Sequence, residues 1–194
     1  MTKPLTIPHR HLPLYRIARR EWADPLDASF SQRVDDNRWN VRGFPALYCC
    51  CSERVARAIV LDRFRKGNMA LEDLTADTSP QLVELEWSGP VADLASDDGL
   101  AAAGFPITYP EGVTLQRCQE AAASWHEQRI QGVLCRSAAI QRVGLPAQWR
   151  EPHQPWGELA IYTRNARSKP TLKRRREDDT WLHPQSPTTR ASAG

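Results

Sequence analysis

The chain has 194 residues, of which 41% are hydrophobic and 25% charged, enough to bury a substantial core in one domain without disulfide or metal support. No stretch approaches the roughly 18 apolar residues needed to cross a bilayer, and the opening MTKPLTIPHRHLPLYR puts prolines where a secretory signal has a continuous apolar region, so a cytoplasmic location is expected. The formal charge of +3 is unevenly spread: residues 165–194 hold seven Lys or Arg against three Asp or Glu, a local +4 that leaves residues 1–164 at −1, which argues against a basic nucleic-acid-binding body.

In chain order, LPLYRIA (12–18) reads as a short strand after a proline-rich lead-in. A polar loop follows, and PALYCC (45–50) reads as a second strand. Ser52 is placed to cap a helix that starts ERVARAIVLDRF, with Val55, Ile59 and Asp62 recurring near one face and Gly67 closing the pattern. QLVELEW (81–87) sets apolar Leu82, Val83 and Leu85 among Glu84 and Glu86, a strand that stops at SGP. Residues 93–110, rich in Gly, Pro, Asp and Ala, read as a loop or a short helix.

Thr114 is placed to cap a helix running to about Gln128, with Leu115, Cys118, Ala122 and Trp125 spaced as a buried stripe. GVLCRSA and GELAIYT read as two further strands, separated by the proline-rich loop GLPAQWREPHQPWG. After Thr163 the apolar pattern stops. The order of elements predicts one mixed-sheet α/β (α+β) domain over residues 10–164, followed by a disordered tail over 165–194. The tail's basic run KPTLKRRRE can touch nucleic acid or an acidic partner weakly, but reads most simply as solvated.

Five cysteines, Cys49, Cys50, Cys51, Cys118 and Cys135, make an odd number with no spacing that suits a zinc site, so no metal centre and no disulfide framework is expected. Alternation along a strand sends Cys49 and Cys51 to one face and Cys50 to the other, as buried small apolar side chains.

Arginines in a nearly neutral body stand out because the guanidinium fork matches phosphate and carboxylate oxygens. Arg16 lies inside an expected strand, and Arg38 lies in a loop beside Trp39 and Asn40, residue types that can stack on a base and hydrogen-bond to it. Each is also an ordinary surface or ion-paired residue on type alone. Ser137 follows VLCR at a strand end, where α/β folds place site residues but where a serine also caps a helix.

Taken together, LYRIA near the start, RWN before ALY, a helix entered through Ser52, and GVLCRSA followed by a late strand resemble the RES domain family over residues 12–163. That resemblance implies a fold related to ADP-ribosyltransferases and a toxin of a bacterial toxin–antitoxin pair. It also implies consumption of NAD at the nicotinamide–ribose bond, by phosphorolysis, hydrolysis or transfer of ADP-ribose, and an Xre-type antitoxin as partner. Position by position it makes Arg16 and Arg38 anchors for the pyrophosphate and ribose, with Trp39 and Asn40 beside them. Tyr48 becomes the ring near the nicotinamide, and Ser137 a polar contact to the nicotinamide ribose or amide.

One position departs from the family. The glutamate expected on the helix eleven residues after the tyrosine is Ile59 here. The nearest carboxylates are Asp62, almost one turn later, and Glu53 at the helix start; Asp62 is therefore carried as the candidate substitute. Losing one electrostatic stabiliser typically costs about 10² to 10³ in rate. The alternative to an NAD-cleaving toxin is thus a catalytically degenerate NAD- or partner-binding protein with the same fold.

Overall fold

The computed structural model describes residues 3–9, 13–75, 77–143 and 157–182. It contains strands β1 (Thr6–His9), β2 (Leu14–Ala18), β3 (Ala46–Cys50), β4 (Gln81–Glu86), β5 (Gly89–Leu94), β6 (Gly132–Arg136), β7 (Gly157–Tyr162) and β8 (Thr171–Arg176). Its helices are α1 (Glu53–Gly67), α2 (Asp97–Ala103), α3 (Leu115–Glu127) and α4 (Ala138–Arg142). All eight strands join one mixed sheet in the order β1-β5-β6-β7-β3-β2-β4-β8, so the expected mixed α/β architecture is present. Among the described residues no helix is long and apolar enough to cross a membrane.

The sheet is uneven at its centre. β3 pairs with β7 through five residue positions and β2 with β4 through another five, but β2 and β3 share a single pair, Tyr15 with Cys50. Beyond that pair the two strands part, and the backbone groups that would have joined them are left to other partners. This split positions the site.

Apolar side chains cover both faces. On one face Ala46, Ala92, Leu94, Val133, Cys135, Ala160 and Tyr162 pack with Trp39, Phe105, Tyr109 and Trp125. Trp39 lies 6.2 Å from Trp125, stacked at 15°, and 6.1 Å from Phe105. Farther along that face Cys50 and Leu82 pack under Val55, Ala56 and Ala58 of α1. Leu14, Leu47, Cys49, Leu85, Val91, Leu134, Leu159 and Ile161 fill the other face. Cys50 thus falls opposite to Cys49 and Cys51, as strand alternation requires. All five thiols are free. Burial pushes Cys49 and Cys135 up to about 12 and Cys118 up to about 11, which suits packing and not nucleophilic chemistry.

The helices begin where the caps predict. Ser52 accepts from the Val55 N–H at 3.3 Å and Thr114 from Arg117 N–H at 3.2 Å, each supplying an acceptor to an otherwise orphan donor. α1 ends one residue later than expected: Asn68, at φ 52°, takes the left-handed closing position, and its N–H reaches the carbonyls of Phe64 and Arg65. Leu115 does not join the α3 stripe; it is exposed, while Cys118, Ala122 and Trp125 are buried.

Two edge elements differ from expectation. Thr6–His9, expected as lead-in, is an edge strand whose Pro8 sits opposite Pro90 of β5, a place where missing amide donors are tolerated. The expected tail is ordered from 165 to 182. β8 pairs with β4, setting Arg174 opposite Glu84, while Arg176 donates to Glu53 at 2.6 Å and Lys173 to Glu86 at 3.1 Å. Trp181 and Leu182 are buried against α1, with the Arg57 Nε donating to the Trp181 carbonyl at 2.7 Å. The basic run is therefore a sheet edge whose charges meet acids of β4 and α1. The rest of the expected tail, 183–194, lies outside the described residues, as do Leu12 and most of the loop expected at 144–157.

Candidate functional site

A cavity of about 710 Å³ opens where β2 and β3 part. It is bordered by Arg16 of β2, Tyr48 of β3, Ile59 and Asp62 of α1, Ala138 and Ala139 of α4, Glu158 of β7, and Arg38 from the loop before β3.

Arg16 and Tyr48 reach this cavity from opposite sides of the sheet. Tyr15 shares the face of its partner Cys50, and so of Tyr48, which turns Arg16 the other way. Its guanidinium lies over the Trp22 ring, 5.5 Å from the centroid. Arg16 Nη1 donates to the Tyr48 carbonyl at 3.3 Å and Nη2 to the Asp27 carbonyl at 3.3 Å, while Nε is buried without a partner. Burial holds the Arg16 pKa below its usual value.

Arg38 is half-buried, with Nη1 3.4 Å from the Tyr109 hydroxyl, a long contact for a hydrogen bond. Burial works against its charge, but the fields of Tyr109, Cys135 and Glu158 outweigh it and hold the pKa above the usual value. Burial in turn raises the pKa of both Tyr109 and Cys135. Tyr48 is fixed at its far end: its hydroxyl donates to Asn40 Oδ1 at 2.8 Å and accepts the Trp39 N–H at 2.9 Å. Burial raises its pKa, so the phenol stays neutral.

Three expected contacts turn out to have structural work. Trp39 borders the cavity but is only 2% exposed, its ring packed in the aromatic core and its Nε1 donating to Cys135 Sγ at 3.1 Å. Asn40 is fully buried, its amide donating to the Ser31 carbonyl at 2.7 Å while its oxygen holds Tyr48. Ser137 is also fully buried, and its Oγ accepts the Ile140 N–H at the start of α4. Neither Asn40 nor Ser137 borders the cavity; both position what does.

Asp62 borders the cavity, but both of its oxygens are taken. Arg142 clamps it in a fork, Nε to Oδ1 and Nη2 to Oδ2 at 2.7 Å each, and Lys66 Nζ adds a contact at 2.9 Å. Those hydrogen bonds, Arg142 first, hold its carboxyl below the usual range despite burial. The residue ties α1 to α4. Ile59, one turn before it, packs partly buried against the apolar cluster under α1 and presents carbon to the cleft.

Glu158 was not anticipated as a site residue. It is the second residue of GELAIYT, and its register puts it on the same face as Ala160 and Tyr162 of that strand. A charge in an inward register is a signal that residue type alone hides. Arg142, which neutralises Asp62, left no such mark in the sequence.

Among curated protein sequences, none matches this chain. The chain is similar in structure to one found in the crystal structure of the M. tuberculosis MbcT-MbcA toxin–antitoxin complex, with a TM-score of 0.68 and 19% identity over 86% of this chain and 83% of that one. The RES domain model matches residues 13–183, which includes every strand from β2 to β8 and each arginine and tyrosine of the cleft. The chain belongs to the RES domain family.

Proposed function

We propose that this RES-domain chain is a toxin that binds NAD in the split between β2 and β3 and cleaves the nicotinamide–ribose bond, and that an Xre-type antitoxin holds it in check. The observation that carries this reading is the convergence of Arg16, Arg38 and Tyr48 on one cavity of about 710 Å³, within the roughly 300 to 1,000 Å³ of small-molecule sites. The two guanidinium groups, poorly screened in a cleft, suit a diphosphate, and the neutral phenol ring suits the flat cationic nicotinamide. Asn40 and Trp39 act by holding that ring, and Ser137 by holding the start of α4, whose Ala138 and Ala139 form a wall.

Cleavage breaks the bond between the anomeric carbon and the nicotinamide nitrogen. The electron pair leaves with nicotinamide, and positive charge builds on the ribose until water, phosphate or a protein side chain supplies the new oxygen or nitrogen bond. The pairing with an antitoxin is suggested by the solved complex of the structurally similar MbcT with MbcA. Incubating the purified chain with NAD, with and without phosphate, and following free nicotinamide tests the reading. Release in proportion to protein supports it, and none at high protein concentration overturns it.

A second reading keeps the pocket and drops the chemistry, making the protein a binding module. It is favoured by the apolar Ile59 on the cleft side of α1. Calorimetry that detects NAD binding while no nicotinamide appears would select it.

A further inference from the structure

Four carboxylates border the cleft among the described residues, and their surroundings differ. Asp27 accepts both the Ser29 N–H, at 2.7 Å, and the Ser29 hydroxyl, at 2.8 Å. Asp36 is exposed on the loop ahead of Arg38. Asp62 is clamped by Arg142 and Lys66. Glu158 is half-buried and has no hydrogen-bond or ion-pair partner among the described residues. A sheltered, unpaired charge costs stability and persists only where something else requires it.

The backbone around Glu158 is firmly set. It lies in the middle strand of three, opposite Cys50 of β3 on one side and Cys135 of β6 on the other. Gly157 before it is packed tightly; a Cβ there would lie 3.0 Å from Leu134 and 3.3 Å from Cys51 Sγ, and its carbonyl accepts the Cys51 N–H at 3.0 Å. Residues opposite in a ladder share a face, so Glu158 stands diagonally next to Tyr48, whose own partner is Ala160. Such diagonal neighbours lie about 7 to 8 Å apart, close enough for long side chains to meet across a ligand. Its field reaches Arg38, Tyr48 and Arg142.

We propose that Glu158 is a catalytic residue of this cleft, the carboxylate that faces the ribose as positive charge develops there. The inference rests on the NAD-cleaving reading of the cleft. In that reaction the bond from the anomeric carbon to the nicotinamide nitrogen breaks and neutral nicotinamide departs with the electron pair. An oxygen of water then bonds to the carbon and its proton passes to solvent; a phosphate oxygen forms the same bond. Glu158 forms no covalent bond. It lowers the barrier because a fixed negative charge on a rigid three-strand platform stabilises the oxocarbenium-like state more than the bound substrate. α1 supplies no rival: Asp62 is neutralised and Ile59 carries no charge.

Wild type, Glu158→Gln and Glu158→Asp are compared for nicotinamide release across NAD concentrations, alongside thermal melting. The glutamine variant is expected to lose about 10² to 10³ in kcat with KM within about threefold, since the lost interaction belongs to the transition state. Its melting temperature should not fall, because no partner among the described residues is broken. Aspartate, which keeps the charge on a shorter arm, should recover part of the rate. Active wild type with a glutamine variant within about threefold of its kcat, or with aspartate no better than glutamine, overturns the assignment and leaves the NAD reading standing. A wild type that releases no nicotinamide overturns both.

Discussion

Two carboxylates face the same cleft from different elements, and their surroundings set their roles. Asp62 rises from α1 into a fork of Arg142 nitrogens and a Lys66 ammonium, so its charge is spent on joining two helices. Glu158 rises from the middle of the sheet into open space beside Tyr48 and Arg38, with no cation in contact among the described residues. Sequence position favoured the first and surroundings favour the second. A paired charge stabilises a fold; an unpaired one in a cleft is free to meet a ligand.

The contrast breaks most sharply if the two acids are neutralised in turn. Glu158→Gln should cost about 10² to 10³ in turnover with little change in stability, the largest effect expected. Asp62→Asn should do the reverse in kind: donors of Arg142 and Lys66 lose their charged acceptor, at about 1 to 3 kcal/mol of unfolding free energy by denaturant titration. Its pH dependence follows from the sign of the shift. The folded Asp62 carboxyl lies below its ordinary value of 3.8, so it contributes stability above that value and loses it as pH falls through the folded one. The gap between wild type and Asp62→Asn should therefore be constant near neutrality and close in acid. A gap that stays the same from neutral pH to about pH 2 would mean that Asp62 is not held ionised by its partners.

Much of this was readable from the chain, for identifiable reasons. Ser52 and Thr114 announced their helices because a hydroxyl before an amphipathic run satisfies donors that nothing else reaches. Cys49, Cys50 and Cys51 announced their faces because a strand alternates. What escaped were elements whose composition speaks against their conformation. β5 starts Gly-Pro and carries Asp93, which is fully buried and accepts the N–H groups of Ala95 and Ser96, a local network with no apolar period. β8 reads Thr-Leu-Lys-Arg-Arg-Arg and is a strand because β4 offers Glu84 and Glu86 across the ladder, while Trp181 and Leu182, a few residues beyond, anchor its C-terminal side to α1. At the site, Arg16, Arg38 and Tyr48 were legible as residue types. The roles of Asp62 and Glu158 were not, because they depend on which cations stand nearby, and Arg142 lies 80 positions from the Asp62 it neutralises.

A smaller effect separates support of the cleft from contact with its ligand. Ser137→Ala removes the acceptor for the Ile140 N–H at the start of α4, a contact already long at 3.5 Å. The expected loss is about 0.5 to 1 kcal/mol of stability, the low end for a helix cap. Urea unfolding of the variant measures it, and an unchanged midpoint would show that the buried hydroxyl does not hold the helix.

The smallest effect is expected where sequence reasoning looked first. Ile59→Glu installs a carboxylate on α1, one turn before Asp62 and bordering the same cleft as Glu158. If the cleft lacks only a negative charge, turnover should leap by about 10² to 10³. If Glu158 already supplies that charge, a second carboxylate adds little to the transition state and repels the first, so nicotinamide release should change by about threefold or less. The same substitution in the Glu158→Gln background then becomes informative, because a new carboxylate there faces no rival and should restore part of the lost rate. Wild-type-background turnover that jumps about a hundredfold would return the catalytic charge to the helix and make Glu158 a bystander, whereas near-silence there with rescue in the glutamine background would mean that this cleft draws its negative charge from the sheet.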